Sequence, residues 1–159
     1  MLQAWLDDSG KGQPPVFVLA GYVAEVPKWE SFSDDWQKLL NKEPRLEYIK
    51  AYEAFGLRGQ FRGYSVEERD RRLLEFIPLI ESCSGKGLAS VIDQQPFAKI
   101  IKQAPGTPFT SPYTFAYFLA LSTLLPIVQE FFASEQIDIV FDRDVIKRKQ
   151  AENAYRGAV

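Results

Sequence analysis

The sequence predicts an α/β fold: one mixed five-stranded sheet flanked by helices on both faces. Two observations predict it. Short runs of apolar and β-branched residues, the strand signature, open and close the chain, while segments with apolar residues at helical spacing fall between them. Three of the apolar runs also lead into aspartate, in Ala4-Trp5-Leu6-Asp7-Asp8, Leu88-Ala89-Ser90-Val91-Ile92-Asp93 and Ile137-Asp138-Ile139-Val140-Phe141-Asp142. Ligands of open α/β sheets bind at the carboxyl ends of strands, so carboxylates recurring there are the main clue to function.

Taken in order, residues 2–7 read as a first strand, Asp8 to Gly12 as a turn, and residues 16–23 as a second strand, the pair forming a hairpin. Trp29, Phe32, Trp36, Leu39 and Leu40 recur at helical spacing, which predicts a helix over 27–41. Residues 45–51 alternate well enough to read as a third strand. Gly56, Gly59 and Gly63 mark a loop, and Ser65-Val66-Glu67-Glu68 is a capping box that starts a helix. Val66, Leu73, Leu74, Ile77 and Ile80 supply its expected apolar stripe, with Pro78 kinking it.

Residues 88–93 form the fourth strand, 96–103 a short helix, and Pro105-Gly106-Thr107-Pro108 a break. A helix runs from Ser111-Pro112 to about Ser134 with Pro126 bending it, residues 137–142 form a strand buried on both faces, and 145–156 a last helix. This order matches the ribonuclease-H-like arrangement with one helix inserted after the second strand, and one domain over 1–159 is expected.

Composition narrows the chemistry. With 159 residues, 46% of them hydrophobic and 25% charged, the chain lies in the globular range. A net charge of −2 excludes a strongly basic surface and restricts any phosphate contact to local clusters. Cys83 stands alone, so no internal disulfide forms, and Asp7 and Asp8 interrupt what would be a signal sequence, so a cytoplasmic protein is expected. Residues 113–128 are uncharged but shorter than a ~20-residue membrane span, and a buried core helix is expected there rather than a membrane contact.

The absence of histidine excludes Ser-His, Cys-His and histidine-ligated zinc mechanisms. Clustered aspartates instead suit Mg²⁺ or Mn²⁺, whose paired ions stabilise attacking and leaving oxygens in phosphodiester cleavage. Asp7, Asp93 and Asp142 are the candidate catalytic carboxylates, and Asp7, Asp8, Asp93, Asp142 and Asp144 the candidate metal ligands. In the expected arrangement the first strand lies beside the fourth, which would pair Asp7 with Asp93. Side chains alternate along a strand, so Asp8 either leaves that pocket or begins the turn. Asp93, Asp142 and Asp144 are equally readable as helix caps. Lys50, Arg58 and Arg62 are the candidate substrate-binding cations, and Arg69, Arg71 and Arg72 extend the basic patch, readable also as a solvated face. Ser9 lacks a base partner, and Gly10-Lys11-Gly12 lacks the spacing of a phosphate-binding loop.

Leu6-Asp7-Asp8-Ser9-Gly10, followed by the Gly-bearing run Phe17-Val18-Leu19-Ala20-Gly21-Tyr22 and later by Ile139-Val140-Phe141-Asp142, resembles the domain-of-unknown-function family 3800. These are bacterial and phage-associated proteins opening with an Asp-Glu-Ser-Gly-like motif. The resemblance implies a ribonuclease-H-like fold and a metal-dependent nuclease, with nucleic acid as partner. Two departures stand out. Asp8 occupies the place of the usual glutamate, and the family's further helix with an Ala-Asp motif has no counterpart before Gly157-Ala158-Val159, which sets the expectation of a domain truncated at its carboxyl end. Glu152 is the candidate replacement. A non-catalytic adaptor with a vestigial acidic site is the alternative.

Overall fold

The computed structural model describes residues 1–9, 15–83, 85–104, 106–107, 109, 111–132 and 136–141. The chain divides into two compact units: one comprises Met1–Ala24 and Gly85–Val159, the other Glu25–Ser84.

The first unit holds a mixed sheet of β1 (Leu2–Ser9), β2 (Val16–Glu25), β3 (Lys86–Asp93) and β4 (Ile137–Phe141), in the order β3-β2-β1-β4. β2 and β3 are antiparallel, from Val16↔Asp93 to Val23↔Lys86, and β1 and β4 are parallel, from Leu2↔Ile137 to Leu6↔Phe141. Successive side chains alternate across a strand, so Leu2, Ala4 and Leu6, with Phe17, Leu19, Val23, Leu88 and Ile92, share one buried face.

That face is covered by α6 (Pro112–Phe131), whose buried residues Tyr113, Ala116, Tyr117, Ala120, Leu124 and Val128 repeat at helical spacing, and by Phe97 of α5 (Gln94–Gln103). The Ser111 hydroxyl accepts from the Thr114 N–H at 3.2 Å, and Pro112 fits the first turn, where its missing N–H costs nothing. By length and composition α6 is apolar enough to cross a membrane; the buried stripe shows what it packs on here.

Three expectations are corrected in this unit. The strand neighbouring β1 is β4, whereas Leu88–Asp93 lies two strands away with β2 between. β4 is not buried on both faces: among the described residues it is an edge strand that alternates, with Ile137, Ile139 and Phe141 packed on the core and Asp138 exposed. Nor is the sheet's opposite face closed over, since Trp5, Tyr22 and Val91 on it are 49%, 43% and 61% exposed. The expected turn at 10–12 and helix at 145–156 lie outside the described residues.

The second unit is helical: α1 (Val26–Asn41), α2 (Ala51–Phe55), a 3₁₀ turn at Gly59–Phe61, α3 (Val66–Leu74) and α4 (Ile77–Ser82). Its core is Leu40, Leu46, Ala54, Phe61 and Phe76, with Trp36, Leu39, Ile49, Tyr64 and Leu73 against them.

Residues 45–50 do not form the expected third strand, so the described sheet has four strands rather than five. A strand needs a neighbour for its backbone groups. Here the Gln60 side chain takes that part, accepting from the Glu47 N–H and donating to the Tyr48 carbonyl. The capping box at Ser65 forms as read, with the Glu68 carboxylate accepting the Ser65 N–H at 2.7 Å.

The expected single kinked helix after Ser65 is two helices. Pro78 cannot donate to the Leu74 carbonyl, so α3 stops at Leu74 and Pro78 serves in the first turn of α4. The expected apolar stripe holds only in part: Leu73 packs on the core and Ile80 is half-buried, whereas Val66, Leu74 and Ile77 are exposed and α3 also buries Arg69 and Arg72.

Candidate functional site

Asp7 owes its position to β1 continuing through it to Ser9. Among the described residues Leu6 is the last of β1 in register with β4, opposite Phe141, and Asp7 follows on the other face of the strand, exposed. An open depression of about 670 Å³ lies there, lined by Trp5, Leu6, Asp7, Ala20, Gly21, Val140 and Phe141. Gly21 is required by the close approach of β2 to β1: a Cβ on it would fall on the Trp5 carbonyl oxygen. The glycine in the second strand thus shapes the floor of the depression that Asp7 borders.

Asp8 is also within β1 and does not begin a turn, so it falls on the opposite face from Asp7. Its N–H donates to Asp7 Oδ1 at 2.8 Å. Asp93 is the N-cap of α5, accepting the Gln95 N–H at 3.0 Å, and stands opposite Val16 rather than beside Asp7. The expected Asp7–Asp93 pairing is therefore not formed. Asp142 and Asp144, with Glu152, lie outside the described residues. Among the described residues no group of three or more carboxylates or cysteines is placed to hold a metal ion, so these residues by themselves do not fit a complete Mg²⁺ or Mn²⁺ ligand set.

The candidate cations belong to the helical unit. Lys50 is exposed at the N-cap of α2, its ammonium 4.9 Å from the Tyr48 ring centroid. Arg58 and Arg62 are exposed on either side of the 3₁₀ turn. Arg62 and Arg71 line a second depression of about 490 Å³ with Glu43, Tyr64, Glu68, Arg72 and Glu75. Burial pushes the Tyr64 hydroxyl above its ordinary range; Arg72 opposes that, and Glu68 and Glu43 add to it.

Arg69 and Arg72 are buried rather than part of a solvated face. Arg72 is 4% exposed and closes the C-terminus of α1, where carbonyls have no partner within the helix. Its Nη2 donates to the carbonyls of Leu39, Leu40 and Lys42, and its Nη1 to Glu75 Oε2 at 2.8 Å. Lys42 bonds the same carboxylate at 2.9 Å, and that bond, with the two positive charges, holds the Glu75 carboxyl below its ordinary value. Arg69 lies against Phe55, its guanidinium 5.1 Å from the ring centroid, and bonds Asp70 at 2.7 Å.

The sequence reading missed two groups: the buried Arg72 cap, and Glu53, 7% exposed with a buried Oε2 that finds no hydrogen-bond partner. Gly59 lies so close to that carboxylate that a Cβ there would strike it. Neither group carries a signal in periodicity, because charged residues are read as outward-facing by default. Compared with protein-family models, curated proteins and solved structures, the chain finds no match.

Proposed function

We propose that the chain is a Mg²⁺- or Mn²⁺-dependent phosphodiesterase of ribonuclease-H-like type, related to family 3800, with Asp7 as its principal carboxylate. One observation carries the reading. β1 lies inside the sheet with the fourth strand parallel beside it, in register from Leu2↔Ile137 to Leu6↔Phe141 among the described residues, and an open depression is lined there by Leu6, Asp7 and Phe141. In the sequence the next residue after Leu6 is Asp7 and the next after Phe141 is Asp142, so two parallel neighbours each lead into an aspartate; Asp142 lies outside the described residues. A strand-end position of this kind is where open α/β sheets bind ligands.

Asp7 would hold the ion through an exposed carboxylate already oriented by the Asp8 N–H. A bound divalent ion supplies a polarised phosphate and a water of lowered pKa. Gly21 keeps the adjoining floor low, leaving room for a substrate backbone over the carboxylate. A second reading, a binding or adaptor module with a vestigial acidic site, is favoured by the incomplete carboxylate set among the described residues and by Asp93 acting as a cap.

Thermal melting with and without millimolar Mn²⁺ separates the two. An ion at about 100 times its Kd stabilises the folded state by about 2.7 kcal/mol, a rise of roughly 5–10 °C for a domain this size. We expect that rise in wild type, its loss in Asp7→Asn, and Mn²⁺-dependent cleavage of an oligonucleotide by wild type alone. A melting curve indifferent to Mn²⁺ leaves the adaptor.

A further inference from the structure

Around α2 the chain leaves three aromatic rings open to water: Tyr48 is 39%, Tyr52 68% and Phe55 69% exposed. Tyr52 and Phe55 are three residues apart on the helix, hence neighbours on one face. Rings this open contribute little to folding, and a cluster of them marks a contact with something else.

Cations bracket the cluster. Lys50 stands at the N-cap with its ammonium 4.9 Å from the Tyr48 ring centroid. At the other end Arg58 lies against Gly56, the residue after Phe55: a Cβ on Gly56 would sit 3.3 Å from Arg58 Nε. From Glu47 to Arg62 the chain carries three cations, Lys50, Arg58 and Arg62, against two acids, the exposed Glu47 and the buried Glu53. This surface is therefore locally positive in a chain whose net charge is −2.

We infer that the α2 surface is a stacking platform for single-stranded nucleic acid, with unpaired bases on Tyr52 and Phe55 and backbone phosphates at Lys50 and Arg58. Aromatic faces flanked by cations match a polymer that alternates flat bases with phosphates. A duplex hides its base faces, so only the cations would serve it. A protein partner would account for the rings but not for a cation at each end of a five-residue helix. The inference rests on the phosphodiesterase reading only for the fate of the bound strand, and it narrows the substrate class to unpaired strands.

The test is fluorescence anisotropy of a labelled oligothymidylate of roughly 15 nucleotides with the full chain, in chelator so that no cleavage or metal binding is needed. Wild type should bind with strong salt dependence and prefer this strand to a duplex. Tyr52→Ala and Phe55→Ala should each weaken binding roughly 5- to 150-fold with circular dichroism unchanged; Tyr52→Ala, at an exposed side chain, should leave melting unchanged as well, whereas Phe55→Ala also removes the ring that Arg69 lies against and should lower it slightly. Lys50→Ala with Arg58→Ala should flatten the log–log salt slope by about 0.7 per cation. No binding, binding indifferent to the aromatic variants, or self-association in sedimentation that those variants alone abolish would each overturn the inference. A chain that binds in this way yet ignores Mn²⁺ would instead retire the hydrolase reading and keep the platform.

Discussion

The sheet unit and the helical unit solve the same problem with opposite materials. The sheet buries hydrocarbon: Leu2, Leu6, Phe17, Leu19, Leu88 and Ile92 alternate onto one face, and α6 lays a stripe from Tyr113 to Val128 over them. The helical unit also has an apolar centre, at Phe61 and Phe76, yet it joins α1 to α3 through a buried guanidinium. Burying hydrocarbon needs only shape and area, whereas burying a charge is costly unless hydrogen bonds answer it; here both Nη groups of Arg72 find acceptors and its Nε does not. The first design tolerates substitution; the second depends on single residues.

Arg72→Met is the sharpest way to break that contrast. It removes the donor to two α1 carbonyls and to that of the C-cap Lys42, and one of the two cations on Glu75. Glu75 keeps its bond to Lys42, so the cost is that of carbonyls at the α1 end left without a donor, about 1–3 kcal/mol. Denaturant unfolding should show a loss of that order, and Arg72→Lys should recover little, since a point charge cannot reach carbonyls and carboxylate together. Hydrogen exchange should locate the loosening at the end of α1. A cost below about 1 kcal/mol, the range of a surface pair, would mean that the helical unit is held by its apolar core after all.

Gly21→Ala probes the sheet at its least tolerant point. Elsewhere β2 accepts apolar exchanges, but a methyl group here meets the Trp5 carbonyl and the Leu6 side chain, and backbone cannot step aside as a side-chain tip can. Overpacking of this kind costs about 1–3 kcal/mol. The same change should also blunt any Mn²⁺-dependent melting shift, because Gly21 and Asp7 line one depression. A variant as stable as wild type would show that β1 and β2 separate easily, and the distinction between a tolerant sheet and an exacting site would go.

Which parts were legible in the sequence follows from this contrast. The sequence signals found every strand of the described sheet, the capping box at Ser65, and α6 as a buried helix starting at Ser111-Pro112, because in each the signal is an apolar side chain or a local cap. They failed at residues 45–51 and along the buried face of α3. There Gln60 replaces a neighbouring strand and Arg72 replaces a core aliphatic, and both depend on contacts distant in sequence. The same limit affected the site. Asp7 could be read from its place near the carboxyl end of a strand, although that strand runs on to Ser9; its neighbour could not, because that depended on whether residues 45–51 counted as a strand. Removing that strand makes Ile137–Phe141 the fourth and moves Asp93 out of reach.

Asp93 gives the smallest predicted effect and the finest test. As the N-cap of α5 it holds the Gln95 N–H, and asparagine caps about as well as aspartate, so Asp93→Asn should stay within a few tenths of a kcal/mol of wild type while Asp93→Ala loses about 0.5–2 kcal/mol. The two substitutions remove the same charge but differ in capping, which separates helix architecture from ion binding. If Asp93 only starts a helix, Asp93→Asn keeps whatever Mn²⁺ shift wild type has, and Asp7→Asn alone loses it. If Asp93→Asn also loses the shift, the cap carboxylate is a ligand despite β2 lying between the strands, and the acidic centre spans the sheet rather than one parallel pair.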